Sequence, residues 1–246
     1  MANGWSSWRG LALVVGQGGI GRALLADLRQ RAPHLVCLAT RRPDQLGQHT
    51  AEGRLLPLDL SDDSSLAALR DQLTSAPPLR IVLCTAGLLH AGDLQPEKRL
   101  SQVRRTHLER SFAVNAFGPL LLAQALEPLL PRDQPCHFAS LSARVGSIAD
   151  NRLGGWYSYR AAKAAQNQLL RCLALEWQRR LPQACVSLLH PGTTDTPLSA
   201  PFQRGVPAEQ LFSPARSAAQ LLDVLEALGP EQSGQFWAWD GQPIPW

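Results

Sequence analysis

Short apolar runs alternate with longer mixed stretches along nearly the whole chain. Leu11-Ala12-Leu13-Val14-Val15, Leu35-Val36-Cys37-Leu38-Ala39, Leu55-Leu56-Pro57-Leu58, Ile81-Val82-Leu83-Cys84, Cys136-His137-Phe138-Ala139 and Val186-Ser187-Leu188-Leu189 are of strand length, and Gln235-Phe236-Trp237-Ala238-Trp239 closes the series. Between them, Arg22 to Arg31, Asp63 to Leu73, His107 to Leu130, Tyr157 to about Arg180 and Pro214 to Leu228 read as helices. Alternation of this kind, repeated about six times, predicts an α/β chain built on a doubly wound parallel sheet of about seven strands flanked by helices.

Length and composition leave that picture standing. The 246 residues fit one domain, residues 1–246, and a hydrophobic content of 45% supplies a core. A net charge of +4 does not call for nucleic acid, although it would not oppose an anionic ligand. Lys98, Arg99, Arg104, Arg105 and Arg110 alternate with Glu97 and Glu109 and read as a solvated helix face. Cys37, Cys84, Cys136, Cys172 and Cys185 have no metal or disulfide spacing and read as free thiols. The polar start of the chain has no apolar signal core, and no apolar run approaches the roughly 18 residues of a membrane span. A cytoplasmic protein without metal is expected.

The first strand runs into Gly16-Gln17-Gly18-Gly19-Ile20-Gly21, and a helix follows. Strand, glycine loop, helix is the context in which glycines let a backbone approach a pyrophosphate at a helix N-terminus. About 20 residues on, the acid that would bind a free ribose 2′-hydroxyl is replaced by Thr40-Arg41-Arg42. Guanidiniums suit a 2′-phosphate, so Arg41 and Arg42 point to NADP(H) rather than NAD; the plainer alternative is that they are solvated loop charges. Asp59 and Leu60 end the third strand, where the carboxylate would accept from an adenine amino group or cap the next helix. Thr85-Ala86-Gly87 ends the fourth, where small residues Ala86 and Gly87 let the backbone pass close to a cofactor.

Tyr159 and Lys163 lie four apart on a predicted helix and therefore share a face. A cation beside a phenol favours the phenolate and lowers its pKa, giving a proton donor or acceptor usable near neutral pH. Asn115 sits in an apolar helix just before Gly118-Pro119; a kink there would free a carbonyl to hold a water, and the plainer alternative is an asparagine satisfied locally. Ser140 and Ser142 follow the fifth strand, and Pro191-Gly192-Thr193 follows the sixth. Residues 194–213 read as a long irregular loop carrying Leu198, Phe202, Val206 and Phe212, a substrate lid that with Trp156 would make an apolar pocket.

With Gly16 to Gly21, Asn115, Ser142, Tyr159-x-x-x-Lys163 and Pro191-Gly192 in this order, the chain resembles the short-chain dehydrogenase/reductases over essentially its whole length. Ser-Ala-Arg-Val-Gly-Ser-Ile, Gly-Gly-Trp-Tyr-Ser-Tyr-Arg-Ala-Ala-Lys and His-Pro-Gly-Thr-Thr-Asp-Thr look like the C-factor-like branch, some members of which are described as cell–cell signalling proteins. The resemblance implies a single-domain Rossmann fold and hydride transfer between NADP(H) and a small carbonyl or alcohol. Tyr159 would be the general acid/base. Lys163 would hold the nicotinamide ribose and lower the tyrosine pKa. Asn115 would help hold a relay water, a serine near 142 would bond the substrate oxygen, and Thr193 would face the carboxamide beside Pro191 and Gly192.

Three positions depart from the family pattern. The glycine loop is one residue short, Thr85 stands where an asparagine is usual, and Ala143 occupies the usual serine position three before Gly146. Ser142 is taken as the catalytic serine, with Ser140 or a missing hydroxyl as the alternatives. The alternative function is an NADP(H)-binding regulatory or signalling protein with little or no turnover. Helices apolar beyond one face suggest a homodimer or homotetramer.

Overall fold

The apolar runs form strands because both of their faces are covered. The structure is a computed structural model and describes residues 4–42 and 55–246. Its strands are β1 (Gly10–Val15), β2 (Leu35–Arg41), β3 (Leu55–Pro57), β4 (Leu79–Cys84), β5 (Cys136–Leu141), β6 (Ala184–His190), β7 (Thr193–Thr194), β8 (Leu211–Phe212) and β9 (Gln235–Ala238). Seven of them make one parallel sheet in the order β3-β2-β1-β4-β5-β6-β9. Every residue of β1, β4 and β5 is buried, which is why those runs show no polar alternation. The order reverses between β1 and β4, and ligands of open α/β sheets bind beyond the strand ends at such a switch.

The helices are α1 (Gly19–Arg31), α2 (Asp63–Leu73), α3 (Arg105–Phe112), α4 (Gly118–Leu126), α5 (Tyr157–Arg180) and α6 (Pro214–Ala227). On one face, Leu69, Leu122, Leu126, Leu170 and Trp177 pack with Phe138 in a single core. On the other, Leu24 and Leu28 of α1 meet Leu221 and Leu225 of α6. At the N-terminal ends of the strands, Trp8 stacks on His137 (5.6 Å) and Arg80 lies 4.2 Å over Trp8, beneath buried Trp5.

Three expectations change. The predicted helix around Asn115 is interrupted by a π-helical turn, Ala113–Phe117, between α3 and α4. Gly118-Pro119 therefore falls where the hydrogen-bond ladder has already shifted, and Pro119 sits in the first turn of α4, where its missing N–H costs no helical bond. The continuous segment Arg105–Leu129 is long and apolar enough to cross a membrane by length and mean hydropathy (1.2), contrary to the expectation that no run would be. It carries buried His107, Ser111 and Asn115 and packs against α2 and α5 as a core helix of this sheet. The 194–213 segment is not structureless either. Thr193↔Leu211 and Thr194↔Phe212 pair in a parallel ribbon that clasps its base, and short 3₁₀ turns occupy Ala200–Phe202 and Ala208–Gln210.

Candidate active site

The glycine loop is shaped by two threonines from neighbouring strands. Gly16 takes a φ of +97°, and its N–H donates to Thr40 Oγ1 (3.3 Å). The Thr85 hydroxyl lies 2.9 Å from Val15 O and 3.1 Å from Gly16 O, so the residue that replaces the usual asparagine ties the end of β4 to this loop. A Cβ on Gly21 would fall 2.0 Å from Gly16 O, a backbone clash that no rotamer relieves. A Cβ on Gly18 would meet nothing within 4 Å. Helix α1 starts at Gly19 and Ile20 with no side-chain cap and no acid in its first turn, leaving amides and the positive dipole end for an anion. Gln17 is buried with both amide atoms unpartnered.

Beyond the edge strand β3, Asp59 is engaged with its own turn. Its Oδ1 accepts from Ser61 N (2.9 Å) and Ser61 Oγ (2.6 Å). These bonds, the hydroxyl first, hold its carboxyl below the usual range, with a smaller contribution from Arg42. Asp62, through Ser64 N, caps α2. Leu60 is buried against Gly118. Arg41 ends β2, and its side chain lies outside the described part of the molecule.

Helix α5 is preceded by Trp156 at its N-cap, whose φ of +52° is the one positive value at a non-glycine among the described residues. That conformation is held from outside the helix. Trp156 N donates to Glu97 O (2.5 Å), Ser158 N to Glu97 Oε2 (3.1 Å) and Ser158 Oγ to Glu97 Oε1. Glu97 is 2% exposed, so it is no part of a solvated helix face. Its charge sits at the positive end of α5 and accepts from the first turn, which compensates for leaving water. The chain of bonds continues: Ser111 Oγ donates to Ser158 O (3.2 Å) and Asn115 Nδ2 to Ser111 Oγ (3.1 Å). Asn115 also bonds both Leu88 N (2.8 Å) and Leu88 O (2.7 Å), fixing the loop after Ala86 and Gly87.

Tyr159 and Lys163 share a buried face of α5, with Lys163 Nζ 5.8 Å from the Tyr159 ring centroid. Nζ donates to Leu141 O (2.8 Å) and Gln166 Oε1 (2.9 Å). Burial pushes the Tyr159 phenol up, the reverse of the lowered value expected from a neighbouring cation, because the ring has left water and Nζ points to Leu141 and Gln166. Burial also lowers Lys163, to about 8. Gln166 Nε2 donates in turn to Ser140 Oγ (2.7 Å). Ser142 Oγ donates to Asn167 Oδ1 (2.7 Å) in the interior. Both serine hydroxyls are thus bonded to α5 amides rather than to Tyr159.

Gly192 takes φ +74° beside Pro191, where a Cβ would strike the Phe212 ring at 2.6 Å. Thr193 is exposed, whereas Thr196 lies against the glycine loop, its Cγ2 3.1 Å from where a Cβ on Gly19 would be. The lid crosses the switch point from there. Leu198 reaches Gly87, Leu198 O bonds His90 Nε2 (3.2 Å), and Phe202 meets the rings of His90 (5.8 Å) and Trp156 (4.9 Å). Trp156 lies 6.4 Å from Tyr159. Glu97, Ser111, Gln166, His90 and Thr196 were absent from the sequence-based site. Only Thr196 had a signal, a third threonine in the run after Pro191-Gly192.

The family described as short chain dehydrogenase matches residues 10–206. The chain belongs to the short-chain dehydrogenases. It is similar to C-signal of Myxococcus xanthus, 34% identical over 148 residues, 60% of this chain and 83% of that one. It is also similar to the 1-hydroxy-2-glutathionyl-2-methyl-3-butene dehydrogenase of a Rhodococcus species, 37% identical over 142 residues, 56% of this chain and 58% of that one. A Burkholderia multivorans short-chain dehydrogenase/reductase solved with bound NADP superposes with a TM-score of 0.79 at 25% identity, covering 97% of this chain and all of that one. As a short-chain dehydrogenase/reductase the chain is an oxidoreductase, and its glycine loop, α5 and lid are the parts of that fold that converge on one crevice.

Proposed function

We propose that the protein is an NADPH-dependent reductase of small carbonyl compounds, with Tyr159 as the proton donor. The observation that carries the proposal is a buried phenol and ammonium on one face of α5, opening beside an uncapped glycine-loop helix. The loop suits a dinucleotide: free amides at Gly19 and Ile20, open space at Gly18, an orphaned Gln17 amide and a Gly16–Gly21 contact that admits no side chain. The Burkholderia relative holds NADP, and Arg41 and Arg42 at the end of β2 supply guanidiniums where NAD would call for an acid. Asp59 Oδ2, Leu60, Ala86 and Gly87 would line the adenosine and ribose side, and Pro191, Gly192 and Thr196 the nicotinamide side, with Thr196 replacing Thr193.

The reduced nicotinamide would supply the hydride. A phenol whose pKa is raised by burial stays protonated at neutral pH and is a donor in the reduction direction. As the carbonyl carbon receives hydride, its oxygen becomes an alkoxide, a stronger base than phenolate, and takes the Tyr159 proton. Lys163 is mostly charged at neutral pH and stabilises the phenolate left behind. Asn115, in the π turn, holds the loop after Gly87 through Leu88, and the shifted hydrogen-bond ladder beside it would leave a carbonyl for a relay water that reprotonates the pair. The lid, with Leu198, Phe202 and Trp156, excludes solvent from the reacting atoms.

A second reading, an NADP(H)-binding signalling protein, is favoured by Ala143 together with the inward-facing Ser142 and Ser140 hydroxyls, which leave no serine on the substrate oxygen. NADPH oxidation at 340 nm over a panel of aldehydes, ketones and quinones decides between them, with NADH as the cofactor control. Turnover on at least one substrate, preferring NADPH, supports the reductase; tight NADPH binding with no turnover across the panel supports the signalling protein. Exposed Phe117 and Leu175 on the helices beside the site suit self-association, which light scattering reads.

A further inference from the structure

Beyond Phe202 the aromatic wall opens into a cleft of about 620 Å³ between the loop after β4 and the lid. Phe202 belongs to both compartments: its ring packs on Trp156 beside Tyr159, and it lines the cleft. The cleft's two carboxylates are already engaged. Asp93 pairs with Arg110 (2.8 Å) and faces His107 Nε2 (3.2 Å), and these two, Arg110 first, hold its carboxyl down at about 2. Glu97 is committed to Ser158. The cleft's two cations, Lys98 and Arg104, have no ion-pair partner among the described residues. With Asp93 paired and Glu97 turned to Ser158, Lys98 and Arg104 are the charged side chains of this wall open to a ligand. His107 also lines the cleft, 5% exposed, with Nε2 on Asp93 and Nδ1 turned into the interior.

We infer that this cleft is a second compartment of the substrate site and that it takes the anionic tail, a carboxylate or phosphate, of a carbonyl substrate whose reactive end lies at Tyr159. The inference rests on the reductase reading for the reactive end and on the cleft alone for the tail. Lys98 and Arg104 neutralise the tail, and Phe202 covers the junction. A substrate lacking the tail still reaches Tyr159 but leaves the cleft to water.

The test uses 4-formylphenoxyalkanoic acids of graded tether length and their methyl esters. Dissociation constants are read by calorimetry on the full chain, with and without NADP⁺, so that the cleft is measured even in a protein that turns nothing over. The acid is expected to bind about fivefold tighter than its ester at the tether that spans Phe202, the sum of two partly exposed ion pairs. That preference should vanish at high salt and in Lys98→Ala/Arg104→Ala, which leaves ester affinity unchanged. Equal affinity of acid and ester at every length, or binding of neither, overturns the cleft. Acid preference without any NADPH-dependent turnover leaves the cleft standing and removes the reductase.

Discussion

The two ends of the sheet surround their polar groups differently. At the N-terminal end of β4 and β5 the guanidinium is fully engaged, and the one buried ring nitrogen without a hydrogen-bond partner, Nδ1 of His137, is closed in by aromatic rings. Arg80 donates to Pro135 O (2.8 Å), Gln134 Oε1 (2.9 Å) and Arg9 O (3.2 Å) while lying on Trp8, and His137 is buried neutral between two indoles, its pKa pushed down to about 4 by burial. At the C-terminal end, Gln17 and Nδ1 of His190 are buried without partners, helix α1 starts with no side-chain cap, and a tryptophan sits in the left-handed region. An unmet polar atom occurs at both ends, and its surroundings separate them: indoles and a guanidinium close over His137, whereas the amides of an uncapped helix and the open space at Gly18 lie beside Gln17. The contrast teaches that an unmet polar group marks function here where open backbone donors adjoin it, since both ends are rich in charge.

The contrast breaks in a definite order. Lys163→Met, at the open end, should lower turnover by about 10²–10³-fold through loss of the charge beside the phenolate. It should also change the pH dependence of stability. The folded pKa is about 8 and the unfolded about 10.5, so the native state binds fewer protons in that window and wild-type stability rises with pH from about 8 to 10.5. The variant should lose that slope, as urea unfolding across this pH range will show. Arg80→Ala, at the closed end, should cost about 3 kcal/mol by orphaning buried acceptors, and lower Tm by roughly 6–12 °C. Specific activity of the folded fraction should stay at the wild-type level; a change in KM would mean that the ends are coupled.

Smaller effects sharpen the boundary. Glu97→Gln keeps the size but removes one acceptor and the charge from the start of α5, for a loss of about 1–2 kcal/mol in thermal unfolding and a fall in kcat larger than any rise in KM. Thr196→Val should weaken NADPH binding a few-fold by fluorescence titration, and Thr193→Val should leave it unchanged; the opposite result would return the role to Thr193.

How much of this was legible in the sequence follows from range. Strands buried on both faces announce themselves as unbroken apolar runs, and the glycine loop and the Tyr159–Lys163 spacing are local, so fold and site core could be read. What could not be read depends on partners far along the chain. Glu97 looks like one charge of a solvated helix face until it meets Ser158, 61 residues away. The sign of the Tyr159 shift depends on burial and on the direction of Nζ, neither of which spacing reveals. The serine question turned on where hydroxyls point: Ser142 toward Asn167 and Ser140 toward Gln166, bonds formed with α5 only once it packs on β5.

The central claim is that an open, unsatisfied strand end carries a proton donor at Tyr159. Single-turnover NADPH oxidation with a saturating aldehyde, measured beside the NADPH dissociation constant for wild type and Tyr159→Phe, tests it most directly. The account predicts a rate lower by about 10³-fold or more with an NADPH dissociation constant within twofold of wild type. A Tyr159→Phe protein that oxidises NADPH at the wild-type rate would contradict it.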